Sequence, residues 1–209
     1  MALQSVFNNQ PSRQYKKGQI IIYQGESISN IYYIKSGFIK VYDITIDGTE
    51  KLIMILGRGD IFPLIWTVAG KRPLRYFYET YEDAELCYVT RDELLQTIDS
   101  NHVATKELLR YFVTRINELM LRIDCIEATS AKLKVAQVMQ YLALSHGIKQ
   151  ANGKHEIKFK ITQQNLANMA GITRETTSLQ MTELEKEKII SHRNDHLVIN
   201  LPRLEELFF

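Results

Sequence analysis

Ile161-Thr162-Gln163-Gln164-Asn165-Leu166-Ala167-Asn168-Met169-Ala170-Gly171-Ile172-Thr173-Arg174-Glu175-Thr176-Thr177-Ser178 is the stretch on which the reading of this chain turns. Thr162 and Thr173 each stand where a side-chain oxygen would accept a free amide at the start of a helix. Gly171 lies between the two helices so defined. Lacking a Cβ, it can take the left-handed conformation that turns the chain there. On the second helix, Thr177, Met181 and Leu184 fall at i, i+4 and i+7 and make a buried face. Arg174, Glu175, Ser178, Leu179 and Gln180 then point away from it. Short polar and bidentate side chains at the N-terminal end of an exposed helix are what base edges and phosphates require. The segment therefore reads as a helix-turn-helix whose partner is the DNA major groove. The alternative is an ordinary helical hairpin with a solvated face.

The flanks extend this pattern. Upstream, Leu133, Ala136, Gln137, Met139, Gln140 and Leu142 lie on a helix that ends near Gly147. Residues 156–161 then alternate like a strand. Downstream, residues 189–199 read as a hairpin turning at Asn194-Asp195. A helix pair followed by a hairpin is a winged helix-turn-helix. His192 and Arg193 on the wing are candidates for phosphate contacts, with a solvated turn as the alternative. The apolar tail, residues 204–209, is expected to pack on this domain, with a partner surface as the alternative.

Before it, residues 101–128 hold neither Gly nor Pro. Leu109, Phe112, Ile116, Leu119, Ile123 and Ile126 alternate spacings of three and four, which predicts a long helix with a dimer seam. Arg122 and Glu127 would then pair across a parallel dimer. The alternative is a helix lying on the preceding domain, but such a helix normally shows a wider apolar face.

Residues 13–98 contain short apolar runs near 20–23, 31–34, 38–42, 51–56 and 85–89. They are punctuated by Gly18, Gly25, Ser36-Gly37, Asp47-Gly48 and Gly57-Arg58-Gly59-Asp60. Short strands with glycine turns at near-regular spacing predict a sandwich or barrel. Thr90 is placed to cap a helix beginning at Arg91. The expected fold class is α+β. It comprises an N-terminal, jelly-roll-like β-roll (1–100), a long dimerisation helix (101–128) and a C-terminal winged helix-turn-helix (129–209).

Bulk properties narrow the function classes. The chain has 209 residues, 45% apolar, so it can bury a sizeable core and is not expected to be disordered. No run is long and apolar enough to span a bilayer and no signal peptide is visible, so the expected location is cytoplasmic, without a membrane partner. Net charge is +2. Residues 1–100 hold 11 Lys/Arg against 12 Asp/Glu, and residues 101–209 hold 15 against 12. That C-terminal excess permits phosphate contact without demanding it. Cys87 and Cys125 are the only cysteines. Their isolation disfavours a disulfide scaffold, a metal site and an iron–sulfur cluster. Packing is their expected role, a redox role the lesser alternative. The histidines, His102, His146, His155, His192 and His196, all lie outside the roll, against a cupin-like metal enzyme. No nucleophile elbow, P-loop or dinucleotide fingerprint occurs.

In this order of parts the chain resembles the Crp/Fnr family of transcription regulators, over nearly its whole length. The most specific match is Thr173-Arg174-Glu175-Thr176, where the family carries Ser/Thr-Arg-Glu-Thr. The roll segments around Lys17-Gly18, Gln24-Gly25-Glu26, residues 31–37 and residues 57–62 also fit. The resemblance implies that Arg174 and Glu175 read bases, while Thr162, Gln163 and Thr173 hold phosphates. It further implies a homodimer on a palindromic operator, RNA polymerase as a protein partner, and a small-molecule effector acting through the roll. A constitutive regulator with a degenerate sensor is an alternative, as is a ligand-binding roll that controls a partner protein.

Two departures limit what the family can lend. Leu179 stands where members commonly place a guanine-reading Arg. It lies about 200° round the helix from Thr177, hence toward DNA, unless it packs under the wing. In the roll, cyclic-nucleotide binders follow the Gly-Asp-Ile-Phe turn with Gly-Glu and later Arg-Ser. Here Phe62 is followed by Pro63-Leu64, with no Glu and no Arg-Ser. Tight cAMP or cGMP binding is therefore not expected. Trp66, Arg72, Arg75, Tyr76 and Tyr78 remain as a candidate pocket for an anionic, partly apolar effector. Otherwise the aromatics are roll core and the arginines solvated.

Overall fold

The computed structural model describes residues 2–69 and 73–208. The chain separates into two compact units, residues 1–114 and 115–209, with the division inside a long helix.

The first unit begins with α1 (Ala2–Ser5) and continues through β1 (Ser12–Tyr15), β2 (Ile20–Ile22), β3 (Asn30–Ser36), β4 (Ile39–Ile44), β5 (Glu50–Leu56) and β6 (Ile61–Phe62). Then come α2 (Leu64–Ala69), β7 (Phe77–Thr80), β8 (Ala84–Thr90), α3 (Arg91–Ser100) and the start of α4 (His102–Glu127). The strands form two four-stranded antiparallel sheets, ordered β1-β8-β3-β6 and β2-β7-β4-β5. This is the expected roll. The central strands β3 and β8 are buried on both faces, which is why their sequences lack clean alternation. Three residues apart, Ile31 and Ile34 point to opposite sides. Ile34 joins Ile39, Leu56, Phe62 and Leu86 in one core cluster. Ile31 joins Cys87 and Val89 in another, with Leu3, Leu94, Ala104 and Leu108 from the helices.

Local chemistry fixes the turns. A Cβ on Gly37, whose φ is +84°, would stand 2.3 Å from the carbonyl oxygen of Asp83, so no other residue fits. The Asp60 carboxylate accepts the Gly57 amide at 2.8 Å and holds the turn before β6. Thr90 and Glu93 form a complete capping box on α3.

Three strands fall outside the apolar runs. β1 is polar and mostly exposed, β6 has two residues, and β7 was expected only as part of a pocket. The same holds for α2. Arg72 lies outside the described residues.

The second unit contains the rest of α4, then α5 (Ala131–His146), β9 (Gly147–Lys149), β10 (Lys154–Ile157), α6 (Gln163–Ala170) and α7 (Arg174–Lys186). It closes with β11 (Ile190–Arg193), β12 (His196–Asn200) and α8 (Leu201–Glu205). Its antiparallel sheet has the order β11-β12-β10-β9. β10 ends at Ile157, short of the expected 161, although Phe159 beyond it is still buried. Leu204 of α8 is fully buried in this unit, and Leu207 and Phe208 after it are half-buried.

Candidate nucleic-acid interface

The helix-turn-helix is built as its sequence dictates. The Thr162 hydroxyl accepts the Asn165 amide at 3.1 Å and starts α6. Gly171 ends it at φ 64°, ψ 37°, in the left-handed region. The Thr173 hydroxyl accepts the Thr176 amide at 3.2 Å and starts α7. Each cap satisfies one orphan amide, worth about 1 kcal/mol. Thr177 is fully buried, and its hydroxyl donates to the Thr173 carbonyl at 2.9 Å. Met181 and Leu184 complete the inner face.

That register turns Arg174, Glu175 and Leu179 outward. Gln163, Arg174, Glu175, Ser178 and Leu179 together line one open concavity at the N-terminal ends of α6 and α7. Leu179 is 66% exposed, so it does not pack under the wing. Gln180 is half-buried. Glu175 in the first turn of α7 complements the positive end of the helix, whereas Arg174 at the same end opposes it. The arginine is therefore not placed there by local stability.

The wing turns at Asn194 (φ 49°) and Asp195 (φ 63°), with Arg193 paired to His196. Two positive φ values between paired strands are the two-residue turn that matches strand twist. Arg193 is exposed at its tip. His192 Nε2 lies 3.2 Å from Glu185 Oε1 on α7, so its ring already faces a carboxylate rather than an open phosphate site.

On α4 the seam residues part company. Leu109, Ile116, Ile123 and Ile126 are exposed, whereas Phe112 and Leu119 are half-buried and Phe112 packs against the roll core. Val113 and Met120 are exposed in their stead. The exposed apolar stripe thus runs Leu109, Val113, Ile116, Met120, Ile123. Arg122, expected to pair with Glu127 across a dimer, is buried instead. Its Nη2 donates to the Met169 carbonyl at 2.8 Å. That correction follows from its place on the opposite side of the helix.

In the roll, Trp66 and Tyr76 meet edge-to-face at 6.3 Å, and the Arg75 guanidinium lies 5.8 Å from the Tyr76 ring. Arg75 also approaches Asp43 at 4.0 Å and is largely solvated. Tyr78 is core: it stacks on Phe62 at 5.3 Å, and burial holds its phenol well above the usual value. A separate groove is lined by Ile21, Ile22, Glu26, Ile28, Tyr32, Pro63 and Leu74, among others. Both cysteines are buried, and desolvation raises both thiols above their ordinary pKa. That keeps them protonated and poorly reactive. No helix among the described residues is long and apolar enough to cross a membrane.

Comparison with known proteins bears on both units. Residues 12–101 match the family model of the cyclic nucleotide-binding domain, and residues 134–207 that of the Crp-like helix-turn-helix domain. The HTH-type transcriptional regulator ArcR of Staphylococcus epidermidis is 29% identical over 193 residues, spanning 90% of this chain and 81% of that protein. The cyclic AMP receptor protein of Thermus thermophilus is 27% identical over 179 residues, spanning 85% of this chain and 78% of that protein. Among solved structures, FixK2 from Bradyrhizobium japonicum aligns with a TM-score of 0.79 at 18% identity. The alignment covers 95% of this chain and 96% of that one, and shows a common fold.

Proposed function

We propose, since the chain belongs to the Crp/Fnr family of transcription regulators, that it binds a palindromic operator as a homodimer and answers to an effector held in the roll. The chain is a regulator with a DNA-binding helix-turn-helix, not an enzyme. The observation that carries the finer reading is the single concavity formed by Gln163, Arg174, Glu175, Ser178 and Leu179.

In this reading Arg174 donates to guanine O6 and N7, and Glu175 accepts from cytosine N4. Thr162, Gln163 and Thr173 hold the phosphate backbone beside them, and Arg193 reaches it from the wing. Ser178 and Gln180 flank the readers. Two copies pair through the α4 stripe and present their recognition helices to half-sites about one helical turn apart. The site of action is the cytoplasm, with RNA polymerase as the partner that turns binding into regulation.

Leu179 sets the expected difference from relatives. An exposed leucine facing DNA offers an apolar contact to a thymine methyl and no donor to guanine. In vitro selection with the purified protein should yield a palindrome that contains no required guanine at this position. Leu179→Arg should restore that guanine, with a discrimination of about 1–3 kcal/mol. A pool that yields no palindrome would refute the function, whereas a guanine demanded by the unmodified protein would refute only the role of Leu179.

The effector is proposed to be something other than cAMP or cGMP. Pro63 has no amide to offer a cyclic phosphate, and Leu64 is buried in the core where a nucleotide binder places its ribose-holding Glu. Isothermal calorimetry with either nucleotide should show no binding in the micromolar range. A micromolar Kd would overturn this.

A further inference from the structure

A recognition helix is placed only as well as the helix it turns from. α6 is hydrogen-bonded at its C-terminal end to α4. Arg122, 7% exposed, donates from Nη2 to the Met169 carbonyl at 2.8 Å, and its guanidinium lies 5.6 Å from the centre of the Tyr141 ring. Met169 belongs to the last turn of α6, where carbonyls have no intrahelical amide to accept and carry the negative end of the helix dipole. A permanent cation is well matched to that end, and a guanidinium keeps its charge throughout the physiological range. One turn further along α4, the Cys125 Sγ lies 3.4 Å from the Lys134 carbonyl and 3.9 Å from that of Met169.

The same side of α4 carries an ion pair at 2.9 Å between half-buried Arg115 and buried Glu118. By the helical repeat, residues 115, 118, 122 and 125 fall within an arc of about 80°. Ile116, Met120 and Ile123 occupy roughly the opposite side and are exposed. A charged packing face is an unusual choice. Apolar side chains of similar volume would often be as stable or more so, so stability alone does not account for a buried guanidinium here.

We propose that Arg122 is a positioning residue for operator recognition. It fixes the first helix of the helix-turn-helix to α4, so the placement of α7 follows α4. Resting on the dimeric reading above, the bond sets the separation of the two recognition helices and thereby the half-site spacing the protein accepts.

The test is a gel-shift series with the full chain on its selected operator. The half-sites stand at the selected spacing, or one or two base pairs nearer or farther. Each base pair rotates a half-site by about 35°, so the unmodified protein should prefer its spacing by about tenfold or more. Arg122→Met keeps an apolar stem and removes the donors. Its preference should fall to about threefold or less, with a melting temperature within a few degrees of the parent. Arg122→Lys keeps a charge without the fork and should fall between the two. Arg122→Met with an undiminished spacing preference overturns the proposal. So does a variant that loses affinity equally at every spacing as its melting temperature drops, which is a merely structural effect. If the Met variant fails to fold, a Lys variant indistinguishable from the parent overturns it too. An unmodified protein that binds no palindrome defeats the functional reading itself, which is a distinct result.

Discussion

Arg174→Ala should weaken operator binding by about 30-fold to 10⁴-fold while leaving non-specific DNA binding within about tenfold. A bidentate arginine–guanine contact is worth about 1–3 kcal/mol per half-site, and a two-fold symmetric complex loses it twice. The effect will not come from unfolding. Arg174 is exposed at the first position of α7, where a cation opposes the helix dipole, and alanine is the better helix former. The variant should melt at the parent's temperature or slightly above. Gel shifts on the selected operator and on scrambled DNA, run at one salt concentration, give the specificity ratio directly. If both DNAs weaken together, Arg174 contacts phosphate and Glu175 would be left as the base reader. If neither weakens, the concavity it lines is not the interface.

Such a prediction is possible because the exposed and buried faces of α6 and α7 are legible in the sequence. Its determinants are local: two threonine caps, one left-handed glycine, and an i, i+4, i+7 face that fixes which residues point out. The wing was legible for the same reason, since Asn194-Asp195 can adopt the turn that paired strands require. Where positions are fixed by neighbours distant in sequence, the reading lost precision. β1 is a polar edge strand paired to β8, and nothing in Ser12-Arg13-Gln14-Tyr15 announces a strand without its partner. On α4 the spacing of three and four admits two adjacent stripes. One runs through Phe112 and Leu119, the other through Val113 and Met120. Only the roll core, which takes up one side of Phe112, decides between them. Arg122 was misread because arginine is seldom buried, and its acceptor, the Met169 carbonyl, lies 47 residues away. Of the candidate effector pocket, Trp66, Arg75 and Tyr76 do come together. Tyr78 meets them from the core side: it is buried, yet hydrogen-bonded to the Trp66 side chain and adjacent to Tyr76.

The choice between the two stripes on α4 leads to a second large effect. Ile116→Glu combined with Ile123→Glu should convert a dimer into a monomer and cut operator affinity by about 10²-fold to 10⁴-fold, the gain that linking two binding modules ordinarily supplies. Ile116 and Ile123 are 57% and 46% exposed in the single chain, so each Glu is solvated there and the monomer's own stability should change little. Glutamate is also a good helix former, so α4 persists. In a dimer the two sites on each helix meet their symmetry mates, which places four carboxylates in an apolar seam. Burying such charges without partners costs several kcal/mol per ion, more than a seam of this length returns. Sedimentation at micromolar protein should therefore give a monomer, and footprinting should show weak protection of isolated half-sites. Substitutions one residue apart separate the stripes. Val113→Glu should act on the dimer, whereas Phe112→Ala should lower the melting temperature by removing a ring from the edge of the roll core. If Ile116→Glu/Ile123→Glu stays dimeric, the exposed stripe is not the seam, and the spacing of half-sites would have to be set by another surface.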